Sequence, residues 1–72
     1  MIRYVPIAEE RYGPDVGQYR TYGICVLNEE GKTVMILSDI SMDFEMVSEL
    51  ADRCTKGELA PEHLCDVVLN TI

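Results

Sequence analysis

Apolar residues in the first half of the chain recur mainly at every second position, and in the second half at every third and fourth. The change falls in Ser38-Asp39-Ile40-Ser41, inside the stretch Thr33 to Thr55 around which the rest is arranged. A period of two marks strands and a period near 3.6 marks helices, so the chain reads as sheet first and helices second.

Ile2 and Tyr4 fall on one side of a first strand spanning about 2–8, with Val5 and Ile7 on the other. Pro6 cannot donate to a ladder, which makes this an edge strand. The following EERYGPDVGQ gathers Gly13, Pro14, Asp15 and Gly17 and reads as a connector of about ten residues. Its glycines do not open a helix after a strand, so they carry no phosphate-binding signature.

The second strand, about 19–27, is rich in β-branched and aromatic residues. Asn28-Glu29-Glu30-Gly31 then turns the chain into a third strand of about 32–38. Pairing Leu27 with Lys32 would set Tyr22 opposite Leu37, Ile24 opposite Met35 and Val26 opposite Thr33 on one face. On the other, Gly23 would meet Ile36 and Cys25 would meet Val34; in the same register Arg20 would lie opposite Asp39 as an ion pair. Both faces are then apolar, whereas a sheet with a solvated face should alternate between apolar and polar. Helices cover one face. The second is left for another subunit, a binding target, or the first strand and loop with Tyr12 as a plug.

A first helix is expected over about 42–56, with Ser41 as N-cap, Asp43 in the first turn and Gly57 closing it. Phe44, Val47, Leu50, Ala51 and Cys54 form its apolar face, and Glu45, Glu49 and Asp52 form an acidic stripe opposite. Met42 and Met46 border the apolar arc, as core-rim filling or an adaptable contact surface. Pro61 starts a second helix over about 61–70, where Leu64, Cys65, Val67, Val68 and Leu69, with Ile72 beyond, cover more than half the circumference. The expected fold is α+β: a three-stranded antiparallel meander followed by two α-helices packed on one sheet face, βββαα, in a single domain 1–72.

Seventy-two residues change this picture by limiting the core. A domain of this size buries only about 60% of its unfolded surface, so a disulfide, a metal or a second copy is expected to assist. Cys25, Cys54 and Cys65 are odd in number and scattered, and the MIRYVPIAEE start has no apolar signal core, which suggests a reduced cytoplasmic protein. With 47% hydrophobic residues, burial against a second copy is the favoured staple. No apolar run nears the roughly 18 residues of a membrane span.

The net charge of −7 is uneven: residues 1–38 hold five acids against four bases, residues 39–72 eight against two. Nucleic acid and anionic membranes need a basic footprint and are disfavoured as direct partners, while a basic protein is admissible.

Candidate chemistry adds little. Cys54, His63 and Cys65 are spaced C-x8-H-x-C, which matches no zinc module, and on a helix His63 and Cys65 would point about 160° apart. That geometry also disfavours a Cys-His nucleophile pair. The many carboxylates fall on solvent faces where nothing perturbs them. No cofactor, metal or catalytic residue is assigned, and an enzyme is not expected.

Tyr22-Gly23-Ile24, Leu37-Ser38-Asp39-Ile40-Ser41, then Val47, Leu50 and Cys54, and Leu59-Ala60-Pro61-Glu62-His63-Leu64-Cys65-Asp66-Val67-Val68 carry a resemblance. Over about residues 19–72 the chain resembles a family of short uncharacterised bacterial proteins from Gram-positive anaerobes and their mobile elements, labelled only as a domain of unknown function. Ala60 stands where that family more often has Ser. The resemblance implies strands followed by helices and no activity.

The functional expectation is a non-enzymatic interaction or regulatory module, homodimeric through an apolar sheet face. The candidate surface comprises Tyr22, Ile24, Met35 and Leu37 on the sheet, Met42 and Met46, the acids Glu45, Glu49 and Asp52, and His63. Two alternatives stand beside it: an acidic mimic of nucleic acid that blocks a basic groove, as from a phage or mobile element, and a small-ligand binder at a subunit interface involving Tyr19, Tyr22 and His63.

Overall fold

In the computed structural model, which describes residues 1–71, three strands form one antiparallel sheet in the order β1-β2-β3 and two helices follow. The strands are β1 (Arg3–Gly13), β2 (Gly17–Leu27) and β3 (Thr33–Ser41); the helices are α1 (Phe44–Lys56) and α2 (Leu64–Thr71), the latter entered through a 3-10 turn, Pro61–His63. This is the expected α+β meander, with several local corrections. Ile72 lies outside the described residues.

The expected ten-residue connector is a hairpin instead. β1 and β2 stay paired out to Gly13 and Gly17, leaving three residues to turn, with Gly17 in the left-handed region at φ +71°. The arm carries polar contacts across and along its strands, which hydrophobic periodicity does not register. Arg20 Nε meets Glu10 at 2.8 Å on the opposite strand, and Arg11 meets Glu9 at 3.0 Å. Glu10 therefore takes the place expected for Asp39.

Between β2 and β3 the faces are as expected but the register has slipped by two. Ile24 pairs with Leu37, Cys25 with Ile36 and Val26 with Met35. One residue goes into the turn, where Asn28 Oδ1 accepts from the N–H groups of Glu30 (2.9 Å) and Lys32 (3.0 Å), so that Leu27 pairs with Thr33. A bulge at Val34 takes the other. A slip of two preserves which side chains share a face.

A larger irregularity ends β3. Tyr22 pairs with Ser41 while Ile24 pairs with Leu37, so Ser38, Asp39 and Ile40 all lie opposite Gly23. A side chain at Gly23 would come within 2.4 Å of the Leu37 carbonyl oxygen, hence the glycine. Asp39 takes φ +53°, and the extra residues swing Ile40 from the outer face into the core. Because the sheet continues to Ser41, the helix starts later than expected. Its N-cap is Asp43, whose Oδ1 accepts from the Met46 N–H at 3.3 Å, while Ser41 Oγ accepts from the Asp43 N–H at 3.1 Å.

At the other end of α1, Gly57 keeps a right-handed conformation and Glu58, at φ +53°, is the left-handed residue. Leu59 N–H then reaches back to the Cys54 carbonyl at 3.0 Å, the six-to-one bond of a Schellman ending. Both helices lie on one face of the sheet. Val47, Leu50, Ala51 and Cys54 of α1, with Leu64 and Val68 of α2, pack on Tyr4, Ile24, Val26 and Ile40. α2 is less enclosed than its composition suggests: Cys65 is exposed and Leu69 is 73% exposed. No helix among the described residues is long and apolar enough to cross a membrane.

Candidate interaction surface

Strand pleating assigns the faces. Tyr22, Ile24 and Val26 point under the helices; Cys25 and its neighbours in register, Val5 on β1 and Ile36 on β3, point away. Ile7 and Leu27 extend this outer patch, and Thr33 Oγ1 lies 3.4 Å from Cys25 Sγ beside it. Cys25 is buried and Val5, Ile7 and Leu27 are half-buried, whereas Val34 and Ile36 on β3 are 52% and 53% exposed. The accessible apolar area is thus concentrated on β3.

The sheet residues expected at the contact surface need correction. Ile24 is fully buried, and Tyr22, Met35 and Leu37 pack against the core, because the helices cover this face. The outer face is the free one. Its members Val5, Cys25 and Ile36 were legible as the opposite parity of the same strands. Tyr12, the expected plug, is 83% exposed and covers nothing.

On the helical side, Met42 is exposed and Met46 half-buried. Phe44, expected in the core, is an exposed residue whose ring meets Tyr22 edge to face at 5.2 Å. Glu45, Glu49 and Asp52 are exposed as expected, but Lys56 holds Asp52 at 2.9 Å and breaks the stripe. His63 is exposed in the 3-10 turn, and Tyr19 and Tyr22 occupy opposite faces of β2, so the strand does not bring the two tyrosines to one site.

A cleft of about 550 Å³ lies between the hairpin tip and the end of β3, lined by Pro14, Val16, Tyr19, Thr21, Asp39 and Met42 among others. Thr21 closes its floor by donating to the Ser41 carbonyl at 3.1 Å. No three His, Cys, Asp or Glu side chains converge among the described residues in a metal-binding arrangement.

Shifted groups lie in the core and on the hairpin arm. Burial raises the Cys54 thiol, and burial with the nearby Cys54 charge raises the Tyr4 phenol. On the exposed arm, hydrogen bonding and charge from Glu9 raise Arg11, with a smaller contribution from Asp39; Glu10 does the same for Arg20. These groups stay protonated through the neutral range.

A family model described as "Family of unknown function (DUF6514)" matches residues 2–72. The chain belongs to this family. The match takes in β1 and the first hairpin, which the motifs of residues 19–72 left outside, so the whole sheet is part of what the family shares. Nothing among curated proteins matches the chain, and nothing among solved structures does.

Proposed function

We propose that the chain is a non-enzymatic interaction module that self-associates through its sheet, on the outer face around β3. The observation that carries this reading is the one-sided helical layer: an apolar face bearing Val34 and Ile36 is left without cover by the chain's own helices. A small domain gains most from a second copy at such a place. Charge favours the same geometry. The sheet half is near neutral and the helical half carries most of the −7, so association through the sheet does not press two acidic surfaces together. In a reducing cytoplasm the three cysteines remain thiols, and the exposed acids of α1 stay available to a basic protein.

Light scattering from low to high salt tests the reading. A dimer that persists at high salt is expected, because an apolar contact is not screened. Ile36→Glu should return a folded monomer, judged by circular dichroism. A wild-type monomer at every salt concentration, or a folded Ile36→Glu variant that stays dimeric, overturns it.

A further inference from the structure

The two edges of the sheet are treated very differently. On β1, Pro6 has no N–H, the Tyr4 N–H is already taken by Thr55 Oγ1 at 2.8 Å, and Arg3, Glu9, Glu10 and Arg11 line the strand. Proline, charge and a covering side chain are the devices that stop an edge from pairing. β3 is the other edge; from Thr33 to Ser38 it has neither proline nor charge, and its bulges leave Met35–Leu37 between them as the regular open run. Its accessible side chains there include Val34 and Ile36.

We infer that the β3 edge pairs with the β3 edge of a second copy, antiparallel about a two-fold axis at Ile36, joining two sheets into one continuous sheet. The inference rests on the self-association proposed above and places the contact along the β3 edge, beside the open face and not across it. The site is bounded by the bulges at Val34 and at Ser38–Ile40, which limits the regular partner strand to Met35–Leu37, at the short end of strand lengths. Charge fixes the direction. Lys32 lies just before the uncharged run and Asp39 just after it. Antiparallel pairing about Ile36 sets Lys32 of each copy opposite Ile40 of the other, one position from Asp39, twice by symmetry; in-register parallel pairing would set Lys32 beside Lys32 and Asp39 beside Asp39. Both groups are exposed: Lys32 reaches Glu30 only at 3.8 Å, and Asp39, close enough to Arg11 for its charge to act there, makes no side-chain hydrogen bond among the described residues. A shallow groove of about 170 Å³ between Leu37–Ile40 and α2, rimmed by the exposed Leu69, runs beside this edge, where a neighbouring strand would cover it.

Cross-linking separates this geometry from face-to-face packing. In a Cys65→Ser background, Ile36→Cys places two thiols on the two-fold axis with Cα atoms about 4.5–5.5 Å apart, within disulfide range. Mild oxidation should convert most of the chain to a covalent dimer. Val5→Cys in the same background should not cross-link, because the two β1 strands would lie five strand spacings apart, about 24 Å. Independently, Lys32→Glu should raise the dimer dissociation constant about tenfold, since two pairs become repulsive. Adding Asp39→Asn to it should recover most of that loss while keeping a residue suited to positive φ. If the chain dimerises but Val5→Cys cross-links and Ile36→Cys does not, the edge is overturned while self-association stands. If Lys32→Glu leaves the dissociation constant unchanged, the antiparallel direction is overturned. A monomer at every concentration removes both readings.

Discussion

The backbone N–H of Tyr4 donates to Thr55 Oγ1 at 2.8 Å, joining the start of the chain to the last turn of α1 across fifty-one positions. The same hydroxyl lies 3.2 Å from the Tyr4 carbonyl and 3.0 Å from the Ala51 carbonyl, and the Tyr4 phenol donates to the Leu59 carbonyl. One threonine thus ties the edge strand to the helix, and one tyrosine ties the strand to the turn that follows. Thr55→Val keeps the volume and removes the acceptor, leaving the Tyr4 N–H without its partner. A loss of about 1–3 kcal/mol is expected, read as a lower urea midpoint with an unchanged slope.

Gly23 sits where β3 crosses closest to β2. Gly23→Ala places a methyl within 2.4 Å of the Leu37 carbonyl oxygen and 3.1 Å of Ser38 Cα, both backbone atoms that cannot rotate away. A destabilisation of about 1–3 kcal/mol is expected by urea denaturation, with loss of protection at the Leu37–Ser41 amides in hydrogen exchange. Wild-type exchange at those amides would remove the account given for the bulge.

The Asp43 carboxylate caps α1 through the Met46 N–H. Asp43→Ala should cost roughly 1 kcal/mol, and Asp43→Asn or Asp43→Ser much less, because each retains a side-chain acceptor. Equal losses in all three variants would point to charge rather than capping.

Alkaline pH should weaken the fold. Burial raises the Cys54 thiol and the Tyr4 phenol, so each holds its proton more tightly folded than unfolded. Their contribution is complete below the unfolded values and is lost as pH rises from about 8.5 through the raised folded values. The urea midpoint should fall between pH 9 and 11, and Tyr4→Phe should flatten the upper part of that fall.

Thiol labelling should count one reactive site. Cys65 is exposed while Cys25 and Cys54 are buried, so maleimide should add once to the native chain and three times in denaturant, read by mass spectrometry. Two rapid native additions would mean that one of the buried positions is open to solvent.

The parity of the strands and the three- and four-residue spacing of α1 made the sheet, the helices and the two apolar faces readable from residues alone. What periodicity could not resolve was which face the helices choose, because Ile24 and Cys25 belong to equally apolar rows. It also missed the outer arm of the first hairpin, where Glu10 and Arg20 stabilise pairing by charge rather than burial. The slipped register came from Asn28 and from bulges, which depend on local backbone bonds. Phe44 fits the helical stripe by spacing, yet the late start of α1 leaves it at the margin against Tyr22.

The polar arm of the first hairpin, from Glu9 to Arg20, adds no residue to the hydrophobic core. Its length is therefore not set by the core. Removing two residues from each strand would shorten the arm while every remaining side chain kept its face; removing one from a single strand would turn the rest of that strand over. Length differences within this arm should accordingly come in matched, even steps on its two strands, while the regular run Met35–Leu37 of β3, set between two bulges, should tolerate no such change.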